Sequence, residues 1–91
     1  MIEPKFEKGD YIISHFSGDM AVVNSIDKKN YYHFKAYYSA MFDEMKDLKK
    51  YPYTLQIDYQ DIFVKCNEEE KKKLDLFIKK QEENAKMDID K

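Results

Sequence analysis

The residues able to do covalent chemistry are few in this chain and far apart. Cys66 is the only cysteine, and His15 and His33 are the only histidines. Nucleophilic catalysis would need Cys66 or a serine beside a histidine, with a third group to orient that base. The two histidines fall on separate predicted strands. Cys66 follows apolar Val64 at a strand end, just ahead of a predicted helix. A helix N-terminus can lower a thiol pKa, but cysteine is among the most buried residue types, and a structural role is the simpler reading. One cysteine and two histidines show no metal-ligand spacing, and no Gly-centred acidic loop of the calcium type is present. Asp58 and Asp61 could form an acidic pair, yet a capped turn accounts for Asp61. Neither glycine belongs to a phosphate-cradling motif. The chain therefore reads as non-enzymatic, with no catalytic, cofactor-binding or metal-binding residue.

A binding surface has better support. Alternation along Tyr31–Tyr38 places Tyr31, His33, Lys35 and Tyr37 on one side of a strand. Aromatic rings beside lysine are the means by which small barrels hold single-stranded nucleic acid. Packing of those rings beneath a helix competes with that reading and is preferred to it. All sixteen basic residues are lysine, so the planar fork that reads phosphate and guanine is missing. The net charge is -2, and the first 66 residues hold nine lysines against ten acids, so no region there accumulates the cations that a phosphate backbone requires. The expected partner is a protein, for which exposed tyrosine is well suited. Single-stranded nucleic acid held on Tyr31, His33, Lys35 and Tyr37 is the alternative.

Those residues need a scaffold, and 91 residues supply one domain. Eight Tyr and six Phe, with no Trp, favour strands. Gly9-Asp10 turns the chain into a first strand, Tyr11 to Phe16. Ser17-Gly18-Asp19 leads to a second, Met20 to Ile26, and the polar turn Asp27–Asn30 leads to a third, Tyr31 to Tyr38. On the third, Tyr32, Phe34, Ala36 and Tyr38 form the core face. Met41, Met45 and Leu48 then recur at helical spacing, and Ser39 can cap, so Ser39–Lys50 reads as a short amphipathic helix. A strand there would have to bury charge. Tyr51-Pro52 ends it. Tyr53 to Tyr59 alternates as a fourth strand with Tyr53, Leu55, Ile57 and Tyr59 inward. Gln60-Asp61 makes a corner, and Ile62 to Cys66 is a short fifth strand. Asn67 and Glu70 stand at capping-box spacing. They open a helix over 67–85 whose stripe, Leu74, Phe77 and Ile78, docks on the sheet or on a second copy in a homodimer. Residues 86–91 read as a frayed tail. The fold class is α+β: a small antiparallel β-barrel or strongly twisted sheet of about five strands, SH3-like, with a short inserted helix and a C-terminal helix, in a single domain over 1–85.

The opening Lys5-Phe6-Glu7-Lys8-Gly9-Asp10-Tyr11-Ile12-Ile13 resembles the F-x-x-G-D-x-[VI] entry of SH3-like and KOW-type barrels. It also looks like the start of small uncharacterised proteins of gut Bacteroidales and their phages, which continue into strands matched here by Val23, Ile26 and Tyr31-Tyr32. Cys66-Asn67-Glu68-Glu69-Glu70-Lys71 to Leu74 is similar to the helix that closes such proteins. The resemblance covers about half the chain. It implies a fold and a mobile-element origin, such as a phage accessory or anti-defence protein, and carries over no functional residue. Charged residues from Glu3 to Asp10 occupy the place of a leader's apolar stretch, and no apolar run approaches a membrane span. A cytoplasmic location is the expectation.

Overall fold

The computed structural model describes residues 2–89, and side chains as far as Asn84. Six antiparallel strands form one sheet: β1 (Tyr11–Ser14), β2 (Met20–Ile26), β3 (Tyr31–Ser39), β4 (Glu44–Met45), β5 (Thr54–Gln56) and β6 (Phe63–Lys65). A 3-10 turn, Ile57–Ile62, joins β5 to β6, and a helix, α1 (Glu68–Ile89), follows β6. The sheet order is β4-β3-β2-β1-β6, and β5 also pairs with β3. The two short strands share the outer edge of β3. β4 takes its C-terminal end through Tyr38↔Met45, and β5 takes its N-terminal end through Tyr32↔Leu55.

The connection between β5 and β6 bends the sheet. These strands stand at opposite edges, four strand spacings apart, which is roughly 19 Å across a flat sheet. Six residues of 3-10 geometry rise only about 12 Å. The sheet must therefore curl around what lies between its edges. Phe6, Ile12, Ala21, Val23, Tyr32, Phe34, Ile57 and Phe63 fill that hollow, all buried. The result is a curled, open antiparallel sheet, not a closed barrel.

A second core lies on the outer face. Met20, Val22, Ala36 and Tyr38 are buried there beneath Leu74 of α1. The sequence assigns Tyr32, Phe34, Ala36 and Tyr38 to one face, and the structure divides them two and two. The cause is a pair of bulges between β2 and β3. Val22 faces Ala36 and the adjacent Val23 faces Phe34, so Lys35 has no partner; then Ser25 faces His33 and Asn24 is skipped. An extra residue re-aims every side chain beyond it. One strand thereby feeds two cores.

The inserted helix expected over Ser39–Lys50 is replaced by a turn, β4 and a second turn. Asp43 sits at φ 49, a left-handed geometry that no helix accepts, and its carboxylate receives the Tyr38 hydroxyl. Strand pairing through Glu44 buries no charge, because β4 is an edge strand and Glu44 faces solvent. The expected helical stripe is dispersed: Met45 packs on the outer core, Leu48 on the inner one, and Met41 is exposed. The fourth strand is likewise shorter than its alternation implies. Only Thr54–Gln56 is extended; the chain then winds so that Ile57 and Gln60 turn inward, while Tyr53 and Tyr59 are exposed rather than core. The first strand stops at Ser14, whose hydroxyl accepts the amides of Phe16 (3.3 Å) and Ser17 (3.2 Å).

The last helix begins as its sequence states. Asn67 Oδ1 accepts the Glu70 amide and Glu70 Oε1 accepts the Asn67 amide, each at 2.8 Å. Leu74 is fully buried, Phe77 stacks on Tyr38 with centroids 4.5 Å apart, and the Gln81 side chain donates to the Lys46 carbonyl. The stripe is taken up by the chain's own sheet. The helix reaches Ile89, so the tail expected from 86 falls partly on its last turn, and residues 90–91 lie outside the described residues. Among the described residues no helix is long and apolar enough to cross a membrane.

Candidate functional site

The bulge at Lys35 separates the four residues that the sequence groups as a binding face. Tyr31 and His33 lie on the side opposite Tyr32, half exposed. His33 Nε2 meets Asp27 Oδ2 at 2.8 Å, and this bond is the chief reason that the Asp27 carboxyl falls below its usual value. Lys35 is exposed at the bulge itself. Tyr37 turns to the inner core, where it packs by Phe34 and Tyr53 at 5.7 and 4.7 Å between centroids. Its hydroxyl donates to Asp19 Oδ2 at 2.7 Å. The four residues therefore do not present one surface on which successive bases could stack.

Cys66 also acquires an environment. It is half buried against the outer core. Burial first, then the Glu70 carboxylate, push its thiol up to about 11. The helix N-terminus that could have stabilised a thiolate is occupied instead by the Asn67–Glu70 box. At pH 8 such a thiol is about a thousandth ionised, against about a quarter for an ordinary cysteine. A thiolate of higher pKa is also the stronger nucleophile, so its reaction with a disulfide reagent is expected to run about tenfold or more slower than that of free cysteine, and to match it once the chain is unfolded in denaturant. Equal rates in the folded protein would contradict this burial. Asp58 and Asp61 both lie on the 3-10 turn, but Asp58 accepts a bond from Gln56 and Asp61 lies 3.5 Å from Lys5 Nζ.

The surface that departs most from an ordinary one is the end of the sheet made by the β1–β2 and β3–β4 turns. Phe16 is 78% exposed, Met41 84% and Phe42 64%. The two turns are held side by side. Asp19 Oδ1 accepts the Ala40 amide at 2.8 Å while its other oxygen accepts the Tyr37 hydroxyl, and a Cβ placed on Gly18 would stand 3.5 Å from Ala40 Cβ. Gly18 itself sits at φ 82, where a side chain is strained. Asp43 is fixed by Tyr38 and Phe42 lies under the Lys46 ammonium, 4.5 Å from the ring centroid. Phe16 is stacked by His15 at 4.6 Å. Burial and the Asp19 carboxylate raise the Tyr37 pKa, and the bond to Asp43 raises that of Tyr38, so both phenols stay neutral. Behind the β3–β4 turn an open groove of ≈ 300 Å³ runs between β4 and α1. Tyr38, Met45 and Phe77 line it, with Asp43 and Glu44 on one wall and Lys80 on the other.

Sequence reasoning missed this end because Phe16 reads as the end of a strand and Met41 as part of a helix stripe. The chain matches no family model, no curated protein and no solved structure.

Proposed function

We propose that the protein is a small binding module for another protein, working without catalysis, and that its contact surface is the end bearing Phe16, Met41 and Phe42. The observation that carries this reading is three large apolar side chains exposed on two rigidly cross-braced turns. Exposed single apolar residues are ordinary, whereas a group of them on one end marks an interface. Bracing matters because a side chain fixed before contact loses less freedom on binding, and aromatic anchors supply most interface energy. The curled sheet, with its last strand returned to β1 by a short 3-10 turn, supports an SH3-like reading of the architecture. Occlusion of a cytoplasmic host protein by a phage or mobile-element accessory protein is the form of this function that the sequence resemblance favours.

The test is selection of binders from a displayed peptide library, followed by their transfer to the Phe16→Ser/Met41→Ser/Phe42→Ser variant. Surface changes of this kind alter stability little, within about 0.5 kcal/mol each. The expected result is a variant with an almost unchanged melting curve and an affinity for the selected binders lowered more than tenfold. Binders that hold the variant as tightly as the parent chain would remove this surface from consideration.

A further inference from the structure

We infer, on the basis of that reading, that the segment received at this end is cationic as well as apolar: a stretch of a partner protein carrying Lys or Arg beside aliphatic side chains. Apolar area alone would accept many partners, so the charge around it decides which ones are admitted. Asp19, Asp43 and Glu44 stand on the two turns with Lys46 as the cation among them, and Lys46 is already engaged, 3.1 Å from Glu44 and over the Phe42 ring. The partners of Asp19 and Asp43 are neutral phenols and a backbone amide, which satisfy hydrogen bonds without cancelling charge. The rim of the apolar surface is thus net negative.

The groove behind the turn extends the same surface. Its floor is the Tyr38–Phe77 stack, and its near wall carries Asp43 and Glu44. An aliphatic side chain entering over Phe77 brings its chain neighbours against that acidic wall, where a lysine or arginine finds a partner. Lys80, on the far wall, repels a cation there and so fixes the side on which it lies. A second copy of this chain is disfavoured by the same charges: a two-fold contact would set acidic rim against acidic rim. Nucleic acid is disfavoured by that rim as well.

The experiment is titration of the isotope-labelled full chain with three 14-residue amphipathic peptides of Leu/Lys, Leu/Glu and Ser/Lys composition, followed by amide chemical shifts. The Leu/Lys peptide is expected to move the amides of Phe16, Met41 to Met45 and Phe77 to Gln81, with the other two at least tenfold weaker. The Asp43→Asn/Glu44→Gln variant keeps the turn, since asparagine tolerates the left-handed geometry and its amide oxygen still accepts the Tyr38 hydroxyl. It should bring Leu/Lys within about threefold of Leu/Glu. If Leu/Glu binds the same amides as tightly as Leu/Lys, or if the variant leaves the preference intact, the inference about charge is wrong while the apolar surface stands. If neither leucine peptide moves those amides, or the shifts are confined to Glu68–Glu70, the proposed surface itself is wrong, and the inference with it.

Discussion

Replacing Leu74 with alanine is expected to destabilise the protein by about 3–5 kcal/mol, the range for a leucine removed from a well-packed site. Leu74 is fully buried among Met20, Val22, Ala36 and Tyr38, and Phe77 and Ile78 of α1 pack beside it on the same core. The helix has little else to hold it. Most of its side chains are charged, and Phe77 and Ile78 are only half buried. A helix so polar is marginal alone, because its stability comes from the face that it docks. The loss should therefore appear twice in urea unfolding followed by circular dichroism: as a lower midpoint, and as a smaller helical signal before the main transition. Leu76→Ala is the control. Its side chain is 62% exposed, and a change within about 0.5 kcal/mol is expected. A cost below about 1 kcal/mol for Leu74→Ala would mean that the helix projects from the sheet without depending on it.

Much of the scaffold is legible in the sequence wherever local chemistry dictates it. The hairpin between β2 and β3 is written by Asp27, whose carboxylate accepts the amides of Lys29 (2.9 Å) and Tyr31 (3.0 Å), and by Asn30, which takes φ 67. The start of α1 is written by Asn67 and Glu70. What cannot be read locally is where strand alternation breaks. Phe34, Ala36 and Tyr38 keep an unbroken two-residue period, and nothing about Lys35 marks it as the residue without a partner. Only the fit of two cores on opposite faces of the sheet demands the bulge. The segment from Ser39 to Lys50 fails for a related reason. Met41, Met45 and Leu48 suit a helix by spacing, but their destinations are solvent, the outer core and the inner core. One local signal does mark the 3-10 turn. Ile57, Gln60 and Phe63 recur every third residue, which is the period of a 3-10 turn, and all three are buried. The proposed contact surface depends on these breaks, since Met41 and Phe42 stand exposed on the turn that replaces the expected helix.

Gln60 is expected to be the most consequential polar residue of the chain, and Gln60→Leu to cost about 2–4 kcal/mol. Its side chain, 7% exposed, ties the N-terminal segment to the curled sheet. The amide oxygen accepts the Tyr32 hydroxyl and the Lys5 amide, the latter at 2.8 Å, while the amide nitrogen donates to the Glu3 carbonyl at 2.9 Å. Tyr32 is itself fully buried, and its oxygen receives the Lys5 and Phe6 amides at 2.9 and 3.3 Å. Leucine fits the space but offers no partner. The Tyr32 hydroxyl would be left in the core without an acceptor, and an orphaned buried group costs about 1–3 kcal/mol. Loss of the bonds to Lys5 and Glu3 would then loosen Phe6, which is buried against the Tyr32 ring at 5.9 Å between centroids. Hydrogen exchange should show the Lys5 and Phe6 amides losing protection while those of β2 and β3 keep theirs. Tyr32→Phe should cost less, about 1–2 kcal/mol, because Gln60 can still hold the Lys5 amide. In the double variant the orphaned hydroxyl is gone, so the combined loss should fall short of the sum by 0.5 kcal/mol or more, roughly the least coupling expected of residues that share one network. Strict additivity would mean that Gln60 and Tyr32 stabilise the fold separately and that no such network holds the N-terminal segment in place.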